Sequence, residues 1–220
     1  MNVQAAIDIV LVLVILLDLT MLAVSRLSTL VRLFAMQSLL LALLPTAEGF
    51  VSGAVPGVHA FEIAAGTIGI KVILIPWILL RIIRTGEIHA EVTPFLGFAA
   101  SLFVGAVLVA ASFAVSARLP LPMTPLSGML VPASFSTLMI GLFVLISRLK
   151  AITQVLGYLL VENGIFLFGL MLLKSMPALV EIGILLDVFV GVFLMAIVVY
   201  HIRREFDHMD MDALSELEGR

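Results

Sequence analysis

The sequence predicts an all-α, polytopic membrane protein with seven transmembrane helices. Three observations carry that prediction. The residues are 62% hydrophobic and only 12% charged, where soluble domains are about a quarter charged. Apolar runs of about 20 residues, long enough to cross the hydrocarbon core as helices, recur along most of the chain. The runs are continuous rather than alternating, which excludes a β-barrel.

The first run, at 4–24, is interrupted by Asp8 and Asp18 and has no basic stretch in front of it. It reads as a retained helix rather than a cleaved signal. The second is at 28–45, and the 45–60 connection (Pro45, Gly49, Gly53, Pro56, Gly57) reads as a turn region. Further helices are expected at 61–83, 93–115, 128–147, 152–173 and 178–201. The Pro-rich stretch 117–127 (Pro120, Pro122, Pro125) is extended and divides a four-helix part, 1–116, from a three-helix part, 128–204. Residues 205–220 form an acidic, solvated tail with Asp207, Asp210, Asp212, Glu216 and Glu218.

Orientation follows from the basic residues. Arg26, Arg32, Arg81, Arg84, Arg148, Lys150, Arg203 and Arg204 flank alternate helix ends on one side, against Arg118 and Lys174 on the other. The N-terminus is then outside and the C-terminus cytoplasmic.

Several functions are excluded. There is no cysteine, so thiolate-held iron–sulfur clusters and cysteine zinc sites are ruled out in this chain. His201 and His208 have no ligand cluster around them, and no metal site or cofactor is expected. The basic residues are dispersed at helix ends, which is not a nucleic-acid patch. No Gly-rich phosphate loop, nucleophile constellation or lipidation motif is visible. Phe and Met side chains read as core or lipid-facing filler, and Trp77 as an interface anchor.

The informative residues are ionisable groups at membrane depth. Lys71, Glu162 and Asp187 each fall about ten residues into an apolar helix, near the midplane. A charge there costs about 2.5–3.5 kcal/mol on the insertion scale. Asp18 lies in the inner half of the first helix, while Glu62 and Glu181 lie close to outer helix ends. Pro76 follows Lys71, removes a helix hydrogen bond and clashes with the carbonyl of Val72, so a loosened turn is expected beside the lysine. Two readings stay open: a structural ion pair, or a proton relay of carboxylates and an amine. Both place Lys71 within ion-pair or one-water reach of a carboxylate. Glu181 and Asp187 are separated by about 240° around a helix and do not share a face. Asn163 is a candidate hydrogen-bond donor to Glu162 or to a neighbouring helix. Gly157, Gly164, Gly169, Gly183 and Gly191 permit close helix approach.

The run Gly157-Tyr-Leu-Leu-Val-Glu162-Asn163-Gly164, followed by Pro177-Ala-Leu-Val-Glu181-Ile-Gly183-Ile-Leu-Leu-Asp187, resembles the hydrogenase-4 component E family. These are membrane subunits of group 4 nickel–iron hydrogenases and formate hydrogenlyase-type complexes. Lys71-Val-Ile-Leu-Ile-Pro76 resembles that family's third-helix motif. The last three helices are also similar to subunit K of bacterial complex I. On that likeness Glu162 matches the first of its two helix glutamates and Asp187 the second, with Asp in place of Glu. The register there leaves open whether Glu181 or Asp187 is the working group. The resemblance implies a non-redox subunit in the cell inner membrane. It would stand between a hydrogenase peripheral arm, with its quinone-site-like membrane anchor, and antiporter-like pump subunits. It also implies a proton path through Glu162, Asp187 and Lys71, with Glu181 and Asp18 as second choices. An accessory subunit of a cation/proton antiporter and a purely structural adaptor are the competing readings.

Overall fold

The computed structural model describes residues 3–51, 58–85, 96–119, 127–148 and 150–172. These are all helix and short turns. Helix α1 spans Val3–Ala23 and α2 spans Leu27–Val51. Helix α3 (Val58–Thr67) passes through a π-helical turn, Ile68–Leu74, into α4 (Ile75–Thr85). Thr67 and Ile75 keep helical backbone angles at both junctions, so the three pieces form one rod. Then come α5 (Phe98–Ser116), α6 (Leu130–Ser147) and α7 (Ala151–Leu172). Six stretches among the described residues are long and apolar enough to cross a membrane. The expected seventh helix, 178–201, and the acidic tail lie outside the described residues.

Two boundaries differ from expectation. Helix α2 does not stop at Pro45 but continues to Val51. The proline removes one backbone bond, to the Leu41 carbonyl, yet the remaining backbone groups are best bonded by continuing the helix in apolar surroundings. The fourth expected helix begins at Phe98 rather than near 93, because Gly97 takes an extended conformation (φ −54°, ψ 155°) just before it.

Each helix turns one stripe inward at spacings of three and four. On α1 it is Ile7, Leu11, Val14, Asp18 and Met21. On α2 it is Leu30, Phe34, Gln37, Leu41 and Leu44. On α6 it is Leu130, Ala133, Thr137, Ile140 and Val144, and on α7 Leu156, Leu160, Asn163, Leu167 and Leu170. An apolar cluster of α1, α2, α6 and α7 residues, among them Leu11, Leu41, Ala133 and Leu167, packs in the interior. The polar positions on these stripes lie beside that cluster, partway along each helix.

Helices α6 and α7 form an antiparallel hairpin joined by a very short connection. Their backbones touch. A Cβ on Gly141 would meet the Val161 nitrogen at 2.5 Å, on Gly157 the Leu145 nitrogen at 2.6 Å, and on Gly164 the Leu138 nitrogen at 2.6 Å. This is the small-residue packing that membrane helices use in place of a hydrophobic driving force. Of the glycines expected to do this, Gly157 and Gly164 do so. A Cβ on Gly169 would meet nothing within 4 Å among the described residues, and Gly183 and Gly191 lie outside them. Helix α5 packs on α1 and α6 through Ser101, Gly105 and Ser112 and leaves most of its surface exposed.

Candidate functional site

The π-helical turn places Lys71. Within an α-helix the ring of Pro76 would strike the Val72 carbonyl. The chain instead widens by one residue per turn just before the proline, and the Ile75 N–H bonds the Ile70 carbonyl five residues back. The loosened turn expected beside the lysine is therefore present, on the N-terminal side of Pro76. Ala64, Thr67, Lys71, Ile75 and Leu79 form the buried stripe of this rod, and Lys71 points from it into the bundle.

There the Lys71 Nζ lies 3.2 Å from Glu162 Oε1, with both side chains almost wholly buried. It also donates a 3.3 Å hydrogen bond to Asn163 Oδ1. The ammonium stands 5.8 Å from the centre of the Phe166 ring, a further attraction for a desolvated cation. The second carboxylate oxygen, Glu162 Oε2, is buried and has no hydrogen-bond partner. An ion pair so placed is held by its Coulomb term, and an unsatisfied oxygen beside it is costly unless water or a proton meets it.

From Asn163 the polar contacts continue across the bundle. Its Nδ2 donates to Gln37 Oε1 at 3.4 Å and to Ser38 Oγ at 3.3 Å, both on α2. Gln37 Nε2 donates to Asp18 Oδ1 at 2.7 Å. Thr137 Oγ1, from α6, donates to Asp18 Oδ2 at 2.7 Å. Asp18, Gln37, Ser38 and Thr137 are all fully buried. A continuous line of side chains thus runs Glu162, Lys71, Asn163, Gln37, Asp18, Thr137, drawing on α7, the α3–α4 rod, α2, α1 and α6.

The structure therefore joins three of the residues expected from the sequence, Lys71, Glu162 and Asp18, into one network. Asn163 donates to neighbouring α2, one of the two roles expected of it. Asp187 and Glu181 lie outside the described residues. Gln37, Ser38 and Thr137 join the network without any charge to mark them in the sequence. Their signal was an uncharged polar residue interrupting a three-four apolar stripe.

Two other polar contacts tie the bundle ends. Ser127 Oγ donates to Asp8 and accepts from the Met129 N–H at 2.9 Å, fastening the start of α6 to α1. Arg148, just past α6, is buried. Its Nη2 donates to the Leu22 carbonyl at 3.0 Å, and its guanidinium stands 5.7 Å from the Phe98 ring centre. It caps the C-terminal end of α1, where carbonyls lack partners within the helix. Among the described residues no group of three or more His, Asp or Glu side chains is arranged to hold a metal.

An uncharacterized protein of Mycobacterium tuberculosis is 30% identical over 192 residues, covering 87% of this chain and 86% of that one. Hydrogenase-4 component E of Escherichia coli K12 is 28% identical over 149 residues, 68% of this chain and 69% of that one. The chain is a homologue of hydrogenase-4 component E. Component E of Shigella flexneri gives the same figures. No family model matches the chain, and no solved structure matches it. Six apolar spans among the described residues, together with this homology, make it a membrane protein, with Asp18, Lys71 and Glu162 buried in an otherwise largely apolar interior.

Proposed function

We propose that this chain is a non-redox membrane subunit of a complex I-related, membrane-bound hydrogenase complex, and that Glu162 and Lys71 stand on its proton-translocation path. The observation that carries the reading is the buried 3.2 Å pair of Lys71 and Glu162 with Glu162 Oε2 left unsatisfied. A carboxylate with one oxygen paired and one open to a proton or water can change its proton occupancy without breaking the bundle. A widened turn next to it leaves backbone carbonyls for such water to bond. Kinship to hydrogenase-4 component E supports the choice of complex.

In this reading the chain crosses the inner membrane seven times, the seventh at 178–201, with its N-terminus outside. Asp187 or Glu181 continues the path in that last helix, as the likeness to subunit K implies, and Asp18 joins it from α1. The 117–127 connection separates the four-helix part from the subunit K-like part. Antiporter-like subunits, a quinone-site-like anchor and the peripheral arm are the partners, and electron carriers belong to them.

The test is the intact complex carrying Glu162→Gln in sealed vesicles, with hydrogen turnover and proton movement recorded together. The reading expects turnover with proton movement largely lost. Unchanged proton movement in the assembled complex overturns it and leaves the pair a structural one.

A further inference from the structure

We infer that Gln37 and Asn163 are positioning residues that tie the charge of Asp18 to the charge of Lys71. This deepens the proposed path and rests on it for its functional meaning, though not for its test.

The argument starts from hydrogen-bond direction. A lysine ammonium has donors and no acceptor, and an ionised carboxylate has acceptors and no donor. Lys71 therefore turns the Asn163 oxygen toward itself, at 3.3 Å. That leaves Asn163 Nδ2 facing α2, where it meets Gln37 Oε1 at 3.4 Å. Gln37 is thereby turned with its Nε2 toward Asp18, at 2.7 Å. Each amide presents oxygen toward the cation and nitrogen toward the anion. Two aligned amide dipoles thus lie between the ammonium and the carboxylate, in a buried interior where such chains polarise one another. An amide does not carry a proton through itself in this arrangement. The link transmits charge preference, so each charge favours the presence of the other.

Among the described residues, little else competes for Asp18. Helices α2, α5 and α6 pack against α1. On α2 the charged residues are Arg32, which is exposed, and Glu48, about three helical turns beyond Gln37; neither α5 nor α6 contains a titratable side chain. Arg148, beyond the end of α6, bonds the Leu22 carbonyl one turn further along α1. Thr137 supplies the other bond, at 2.7 Å, from a hydroxyl that can rotate. If Asp18 takes a proton on Oδ2, that hydroxyl can accept it. The carboxyl can therefore change charge while the bundle stays satisfied. Neutralising Glu162 changes what Lys71 must balance, and the amides pass that change to α1.

The experiment is infrared titration of the carboxyl C=O band in the purified complex, with the Asp18 band assigned by its loss in Asp18→Asn. Lys71→Met is compared in the native background and in Gln37→Leu. In the native background we expect Lys71→Met to move the Asp18 titration midpoint measurably, by less than the roughly one to three pH units that an opposite charge within about 4–6 Å produces, since two amides stand between them. In the Gln37→Leu background the same substitution is expected to move it far less. An equal shift in both backgrounds, or none in either, overturns the inference. Should Gln37→Leu fail to assemble, Asn163→Ala breaks the same link from α7 and is read against the same criterion. Proton movement is not the readout, so failure of the proposed function and failure of the amide link are told apart: Glu162→Gln tests the first and this titration the second.

Discussion

Lys71 Nζ and Glu162 Oε1 lie 3.2 Å apart in the interior, yet only Lys71 is further engaged by a polar group on α7, the Asn163 side chain at 3.3 Å. The pair is asymmetric: the amine has Asn163 as a further partner, while Glu162 Oε2 has none among the described residues. Removing one member of a buried pair costs about 3–5 kcal/mol because the other charge is left uncompensated, whereas replacing both with apolar side chains is often near neutral. We therefore expect Lys71→Met and Glu162→Leu singly to lower the thermal stability of the complex in detergent more than the double substitution does. A double variant as unstable as the sum of the singles would show that the two side chains do not interact.

The α6–α7 hairpin depends on backbone contact at Gly141 and Gly157. A Cβ on Gly157 would stand 2.6 Å from the Leu145 nitrogen and 2.9 Å from its Cα. These are main-chain atoms, so relief requires the helices to part rather than a side chain to turn. Gly157→Ala should cost about 1–3 kcal/mol, the usual range for overpacking. Gly169→Ala, whose Cβ meets nothing within 4 Å among the described residues, should stay within about 0.5 kcal/mol. Thermal denaturation of the two variants side by side checks this, and equal effects would contradict the hairpin geometry.

Much of this was legible from residues alone, for identifiable reasons. Six of the spans showed as apolar length, because the bilayer imposes that length on any crossing helix. Lys71 and Glu162 stood out because a charge is costly at that depth, and Pro76 announced the irregular turn beside Lys71. Gln37 and Thr137 did not stand out, since an uncharged polar residue in a membrane helix carries only a small penalty and finds a partner on whatever helix lies opposite. Asp18 is half legible: its charge stands out in an apolar helix, but its partners on α2 and α6 depend on packing. Arg148 reads from sequence as one of the basic residues that set orientation, and the fold tucks it beneath the end of α1. Distinguishing the two requires knowing which helix end lies above it.

That position of Arg148 leads to a separate expectation. Its Nη2 holds the Leu22 carbonyl at 3.0 Å, while its Nη1 is buried without a partner. Arg148→Ala loses a charged hydrogen bond, worth about 1.5–3 kcal/mol, and the stacking on Phe98, but also removes the orphaned donor. The net effect should be destabilisation of about 1–2 kcal/mol. Phe98→Leu, which loses only the ring beneath the cation, should cost about 0.5–1 kcal/mol. Chemical denaturation of the detergent-solubilised protein measures both, and an Arg148→Ala variant more stable than the parent would mean that the orphaned nitrogen outweighs the cap.

Thr137 offers the sharpest test of the network, because valine has nearly its shape and lacks its hydroxyl. Its Oγ1 donates to Asp18 Oδ2 at 2.7 Å from α6, and with both residues fully buried no bulk water stands ready to replace it. Thr137→Val should therefore leave a carboxylate oxygen unsatisfied, a cost of about 1–3 kcal/mol. Thr137→Ser keeps the hydroxyl and should retain most of that. The same Thr137→Val change made in an Asp18→Leu background has no carboxylate to orphan, so its cost should fall to a few tenths of a kcal/mol. The difference between the two backgrounds is the coupling energy of the pair, read by denaturation of four proteins. A coupling near zero would mean that α6 does not hold Asp18, and the line of side chains would then end at Gln37.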